Sequence, residues 1–318
     1  MNAGDLTNLH RRADSARRML ERCGLCGHAC GADRSAGQTG PCGAGDRVRL
    51  AAHLLHFGEE PPISGRRGSG TVFFSGCPLT CVFCQNHQIS QQGRGRPVDD
   101  SELAEIMLDL QDRGAHNINL VSPTPWVPQI LAALARARER GLNLPLVYNT
   151  GGFDSPAALK LLDGLIDVYL PDAKYADEEA ADRYSGAENY PAVNRRALEI
   201  MHRQAGHLET DDRGLAVRGL LIRHLVLPGG LAGTDRVLAD LAGRFGTGVW
   251  LSLMAQYRPC HRAAEFPELS RGLTEAEYDA ALDAALDLGL ENVFVQELDA
   301  SETYLPDFET SEVFSRTE

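Results

Sequence analysis

Seven short apolar runs recur along this chain: Thr71–Ser75, Asn117–Val121, Leu144–Asn149, Asp167–Leu170, Leu220–Leu227, Val249–Met254 and Asn292–Gln296. Runs of this length without strict alternation read as strands buried on both faces, so each face must be covered by helices. Helical text fills the gaps. Leu103, Ile106, Met107 and Leu110 repeat at helical spacing and stop at Gly114, Pro128 suits the first turn of a helix carrying Ile130, Leu131 and Leu134, and Ser155-Pro156 opens another. Thr274-Glu275-Ala276-Glu277 is a capping box ahead of Tyr278, Leu282 and Leu286, with Gly289 as the stop. Strand followed by helix, repeated, predicts an α/β fold with a parallel sheet and right-handed crossovers. A barrel, open or closed, and a doubly wound sheet all satisfy this pattern, and periodicity does not separate them.

Composition sets the frame. The 318 residues are 43% apolar, enough for one large or two ordinary domains with a buried core. A formal charge of −13 repels polyphosphate and argues against non-specific nucleic-acid binding. The first twenty residues carry Arg11, Arg12, Arg17 and Arg18 but no apolar stretch of the secretory kind. The run from Gly219 to Gly233 is interrupted by Arg223, His224 and Pro228, so no membrane span is expected. Eight cysteines in such a chain point to the cytoplasm, where thiols stay reduced and available to metal. A break at Pro61-Pro62-Ile63-Ser64-Gly65 divides a cysteine-rich N-terminal lobe, residues 1–65, from a core at 66–318.

Directly after the first apolar run stands Cys77-Pro78-Leu79-Thr80-Cys81-Val82-Phe83-Cys84. Three thiolates at this spacing wrap three corners of a cubane iron–sulfur cluster. Such clusters usually take four cysteines, so one iron is left open, as the fourth position is at catalytic zinc. The bland readings are a zinc knuckle or three buried thiols; the spacing and the preceding strand favour the cluster. This loop, with Phe83 before its third cysteine, resembles the signature of the radical S-adenosylmethionine (SAM) superfamily. The resemblance implies a partial (β/α)6 barrel with the cluster loop after its first strand. It further implies a [4Fe–4S] cluster on Cys77, Cys81 and Cys84, whose open iron SAM chelates, and one-electron cleavage of SAM to a 5′-deoxyadenosyl radical.

From Cys23 to about Leu290 the text resembles an uncharacterised branch related to pyruvate formate-lyase-activating enzyme. The blocks that carry this are His56-Phe57-Gly58-Glu59-Glu60-Pro61-Pro62, Cys84-Gln85-Asn86, Val121-Ser122-Pro123-Thr124-Pro125, Asp172-Ala173-Lys174-Tyr175, Arg223-His224-Leu225-Val226-Leu227-Pro228-Gly229 and Gln256-Tyr257-Arg258-Pro259. Asp172-x-Lys174 resembles the D-x-K element of glycyl-radical activases. Residues i and i+2 of an extended segment share a face, so Lys174 can hold the SAM carboxylate while Asp172 orients it; the bland alternative is a solvated ion pair. Arg223 is a second candidate for the carboxylate or ribose, or else a partner for one of the many acidic residues. Asn149 suits the ribose hydroxyls or a turn, and Phe83 and Asn86 lie where the superfamily packs adenine. One block departs from the superfamily: no Gly-Gly-Glu-like element follows the second strand, which leaves Ser122 and Thr124 as the available acceptors there.

Cys23, Cys26, Cys30 and Cys42, on a glycine-rich stretch, form a complete soft ligand set for zinc or a second iron–sulfur cluster. Cys260 reads as packing or as a radical relay. The expected partners are a flavodoxin- or ferredoxin-type electron donor, steered by Arg66, Arg67, Arg94 and Arg96, and a protein or peptide backbone as substrate. Modification of a small metabolite is the alternative reaction. A non-catalytic metal-binding scaffold is the alternative of another class.

Overall fold

The computed structural model describes residues 3–298, 305–310 and 313–314. Its strands are β1 (Val48–His56), β2 (Ser69–Phe74), β3 (Arg96–Val98), β4 (Ile118–Val121), β5 (Leu146–Thr150), β6 (Val168–Pro171), β7 (Glu209–Thr210), β8 (Ala216–Leu225), β9 (Trp250–Met254) and β10 (Asn292–Val295). The helices are α1 (Ala3–Arg18), α2 (Pro61–Ser64), α3 (His87–Ser90), α4 (Asp100–Asp112), α5 (Val127–Glu139), α6 (Pro156–Leu162), α7 (Glu178–Ser185), α8 (Tyr190–Ala205), α9 (Thr234–Phe245) and α10 (Glu275–Asp287). One sheet runs in the order β10-β9-β8-β6-β5-β4-β2-β1-β3, with β7 paired to β8 beside this path. The seven strands from β2 to β10 along it are parallel and correspond to the seven apolar runs. β1 lies antiparallel on β2, and β3 antiparallel on β1. The protein therefore has an α/β fold with a mostly parallel central sheet. Among the described residues its two edges, β3 and β10, are not paired to each other.

The sheet wraps around its own interior. Phe73 of β2 and Phe294 of β10 line one cavity, whereas six strand spacings in a flat sheet would hold them roughly 29 Å apart. Outward residues such as Phe74, Leu120, Tyr148, Tyr169 and Leu251 join the helices in the main core. Inward residues form layers. Val147, Val168 and Leu221 pack around Ile63, so α2 plugs the interior with an apolar layer. Polar residues follow above it, and the cysteine loop lies beyond the carboxyl ends of the strands.

Local signals place the helices as their sequence chemistry predicts. Asp99 accepts from the Ser101 and Glu102 N–H groups at the start of α4, and Ser155 accepts from Ala158 N–H at the start of α6. The capping box of Thr274 and Glu277 opens α10.

The N-terminal segment is stitched to the loops at the top of the sheet. Gly27 N–H donates to Phe153 O (3.0 Å), Ser155 N–H donates to Leu25 O (3.1 Å), and Cys26 bridges Asp154. Buried Arg34 donates to Pro125 O (2.7 Å) and lies over the Trp126 ring. From the other end of the chain, Phe314 stacks on His56 with ring centres 4.4 Å apart and Phe308 packs on Phe73 at 5.4 Å. Among the described residues no helix is long and apolar enough to cross a membrane.

Candidate active site

The loop after β2 is held from outside by α7: Thr80 N–H donates to Ser185 O and Val82 N–H to Tyr184 O, both at 2.9 Å. This turns the three cysteines toward a single cavity of about 460 Å³. Each sulfur has a polar neighbour. Leu79 N–H donates to Cys77 Sγ (3.4 Å), Ser185 Oγ donates to Cys81 Sγ (3.0 Å), and Cys84 Sγ lies 3.3 Å from Ser90 Oγ. Hydrogen bonds to sulfur are what tune an iron–sulfur site. Ser90 and Ser185 carried no motif and were invisible in the sequence. Burial pushes the Cys84 thiol up to about 12 and raises Cys77 as well, so the thiolates need a metal to be stable there.

Asp172 and Lys174 leave β6 at the carboxyl end of the sheet and line the same cavity, with Lys174 Nζ 2.7 Å from Asp172 Oδ2. Burial works against the ammonium, but the Asp172 carboxylate, together with Cys81, overrides it and holds Lys174 above its ordinary value. A layer of side chains fixes this turn. Tyr190 Oη accepts from Lys174 N–H (3.0 Å) and lies 2.9 Å from Gly151 O and 3.0 Å from Asp172 O, while Asn194 Nδ2 donates to Asp172 O (2.8 Å) and Gly152 O (3.0 Å). His224 supports it from the other side, with Nδ1 2.6 Å from Ala173 O.

Arg223 faces inward from β8, and its guanidinium is largely occupied. Nε donates to Glu60 Oε1 (2.7 Å), Nη2 to Glu60 Oε2 (2.5 Å) and to Glu59, and Nη1 reaches Asn149 Oδ1 at 3.5 Å. The two glutamates lead into α2 and were quoted above only as part of a block, with no role. Adjacent carboxylates before a Pro-Pro pair were the signal for them.

Phe83, Asn86, Ser122 and Asn149 also line the cavity. Ser122 does so with φ +58°, a left-handed conformation uncommon for a residue with a Cβ. Thr124 is placed elsewhere: it is buried outside the lining and donates to Asp154 Oδ1 (2.7 Å), beside Tyr148 and Thr150, which bond the same carboxyl group. The Cys260 thiol donates to Phe83 O (3.2 Å), behind the cluster loop and away from the cavity lining. Cys23, Cys26, Cys30 and Cys42 are all free and near enough for Cys26 to feel the charge of the other three. Among the described residues no three His, Cys, Asp or Glu side chains stand at the spacing one bound ion requires, in either cysteine set.

The arginines expected to steer an electron donor do not form one patch. Arg66 and Arg67 precede the amino end of β2, a strand's length from the cysteine loop. Arg94 is paired with Glu309 and Arg96 with Glu102.

Residues 71–210 match the Radical SAM superfamily. An uncharacterized protein of Methanocaldococcus jannaschii is 30% identical over 290 residues, which cover 89% of this chain and 80% of the relative. The chain belongs to the radical SAM superfamily. Two solved structures are similar to this radical SAM protein: native anSMEcpe with bound AdoMet and Cp18Cys peptide, and Streptococcus suis SuiB bound to precursor peptide SuiA. The first has a TM-score of 0.47 and 13% identity over 69% of this chain and 60% of its own. The second has 0.48 and 9% over 71% and 48%. The chain thus spans less than two thirds of either. Membership of the superfamily implies a [4Fe–4S] cluster and SAM, and the chemistry of the donor set suits them: three sulfurs, each with a polar neighbour, share a cavity with an ammonium held by a carboxylate.

Proposed function

We propose that Cys77, Cys81 and Cys84 hold the [4Fe–4S] cluster, that Lys174 and Asp172 anchor SAM, and that the enzyme removes a hydrogen atom from a protein or peptide backbone. One observation carries this reading: the three sulfurs and the Asp172–Lys174 pair line one cavity. Held by these residues, a [4Fe–4S] cluster would supply one-electron reduction of SAM and SAM would supply hydrogen-atom abstraction. Lys174, its charge sustained by Asp172, binds the SAM carboxylate. Phe83 and Asn86 flank the adenine, and Asn149 bonds the ribose. Ser122 offers its hydroxyl and carbonyl to the SAM amino group in place of the absent carboxylate.

A peptide substrate is supported by the cavity's reach to the surface, where the lining residues Arg258 and Val295 are exposed beside the β10 edge. We also infer that Cys23, Cys26, Cys30 and Cys42 hold a second metal, and that an acidic flavodoxin- or ferredoxin-type donor docks away from Arg66 and Arg67. The test is anaerobic reconstitution followed by mass spectrometry for 5′-deoxyadenosine, with and without added peptides. Formation that rises with peptide and vanishes when Cys77, Cys81 and Cys84 are all Ala supports the reading. Formation that persists in the triple variant overturns it.

A further inference from the structure

We infer that the interior of the curved sheet carries a subsite for a cationic nitrogen group of the substrate, an ammonium or guanidinium, built around Glu59. The inference rests on the reading above that this cavity receives a substrate, and it adds the chemistry that the deep end of the cavity selects.

Charge is unevenly matched along this cavity among the described residues. Three acidic residues line the cavity, Glu59, Glu60 and Asp172, and three cationic ones, Lys174, Arg223 and Arg258. Asp172 is paired with Lys174 at 2.7 Å. Glu60 takes the fork of Arg223, with Nε at 2.7 Å and Nη2 at 2.5 Å. Arg258 is exposed on the rim. Glu59 is left to share a guanidinium nitrogen already bonded to Glu60. Among the described residues two carboxylates, with side chains only 8% and 7% exposed, therefore stand against one guanidinium. A buried carboxylate is costly unless a positive group compensates it. His56 lines the same cavity, and burial lowers its pKa against the pull of the Glu59 carboxylate.

An independent observation falls at the same place. Asn119 on β4 is fully buried and shares the inward face of Val121, a residue of the cavity lining. Its Nδ2 donates to Glu59 Oε1 at 2.8 Å, which leaves Oδ1 as a buried acceptor with no partner. Asn119 is not itself part of the cavity lining and stands in register with Val147 of the apolar layer, so it marks the floor beneath Glu59, whose carboxylate is what a positively charged N–H donor in the cavity would meet. Glu59 and Glu60 enter beside the amino end of β2, where His56 pairs with Ser69. The cysteine loop lies past its carboxyl end and Asn119 stands opposite Thr71, midway along β2, so the Glu59 end of the cavity lies deeper than the cysteines; Arg223 joins it to Asn149 and Asp172, and the deep end is the part assigned to the substrate.

Calorimetric titration of the anaerobically reconstituted holoenzyme tests the inference with four probes on one butyl chain: n-butylguanidinium, n-butylammonium, neutral n-butylurea and anionic pentanoate. The cations should bind at least tenfold more tightly than the urea or the carboxylate. Glu59→Gln, which leaves Glu60 and Arg223 as a balanced pair, should erase that preference, and Glu59→Asp should retain it. Blocked pentapeptides with a central lysine or its norleucine isostere separate the sources: tighter binding of the lysine peptide assigns the cation to a peptide side chain, and preference shown by the free amines alone assigns it to a small molecule. Equal binding of cation and urea by the wild type, or a preference unchanged in Glu59→Gln, overturns the subsite. 5′-Deoxyadenosine is measured in the same wild-type samples; its absence refutes the catalytic reading, while the binding data still judge Glu59.

Discussion

Acidifying the protein from pH 7 to pH 5 should cost its fold about 2 kcal/mol through His224 alone. The ring is fully buried, with Nδ1 2.6 Å from Ala173 O and Nε2 2.9 Å from Thr234 Oγ1. A carbonyl oxygen only accepts, so Nδ1 carries the proton and Nε2 accepts from Thr234. A second proton would turn that acceptor into a donor inside the core. Burial accordingly pushes the pKa from 6.5 down to about 4. The folded value is the depressed one, so the stabilisation is present above pH 6.5 and is lost as pH falls toward about 4. Linkage over pH 7 to 5 gives roughly 2 kcal/mol, and the figure depends little on where near 4 the folded value lies. Anaerobic urea unfolding at both pH values, on wild type and His224→Gln, measures it. Glutamine keeps a donor and an acceptor but has no proton to gain. The other histidines titrate equally in both proteins, so the difference between the two losses belongs to His224. Equal losses would refute the reasoning.

Lys174→Ala should weaken equilibrium SAM binding about tenfold to a hundredfold, the worth of one charge-assisted hydrogen bond, while the cluster's absorbance is retained. Tyr190→Phe orphans the partly buried Lys174 N–H and a carbonyl of the same turn. It should lower urea stability by roughly 2–4 kcal/mol and weaken SAM binding without loss of iron, both measurable on one reconstituted sample. Metal analysis of the Cys77, Cys81 and Cys84 triple Ala variant should still find zinc or iron on Cys23, Cys26, Cys30 and Cys42. A folded but metal-free variant would remove the second site.

The seven parallel strands were legible because burial on both faces writes them as continuous apolar runs. β1 was not: its text, Val48 to His56, mixes Arg49 and two histidines with alanine and leucine, as suits a strand only half covered. β3 is three residues long and contains Pro97, too little to carry a period. α7 and α8 also escaped. Asp177 and Asn189 precede them but make no side-chain cap, so the usual start signal carried no weight. At the site, every side chain delivered by a strand end after an apolar run lines the cavity: Asn149, Asp172 and the three cysteines. Thr124 was misjudged because one turn of 3-10 helix, Thr124–Trp126, rotates it toward Asp154. Glu59, Glu60, Tyr190, Asn194 and the serines on sulfur act across distances in sequence that no local pattern records.

The pairing of β1 with β2 has a consequence for anyone who would trim the protein to the part that carries the cysteine loop. All six residues of β2 are buried, and its far flank is covered only by β1. β1 is in turn screened by short β3, where Pro97 offers no N–H to an incoming chain. A shortened protein that starts at residue 66 would bare a straight apolar ribbon with its amides and carbonyls unpaired. Such a ribbon recruits its own kind. The expected product is insoluble material and not a smaller enzyme, because the first 65 residues act as a guard rail against self-association.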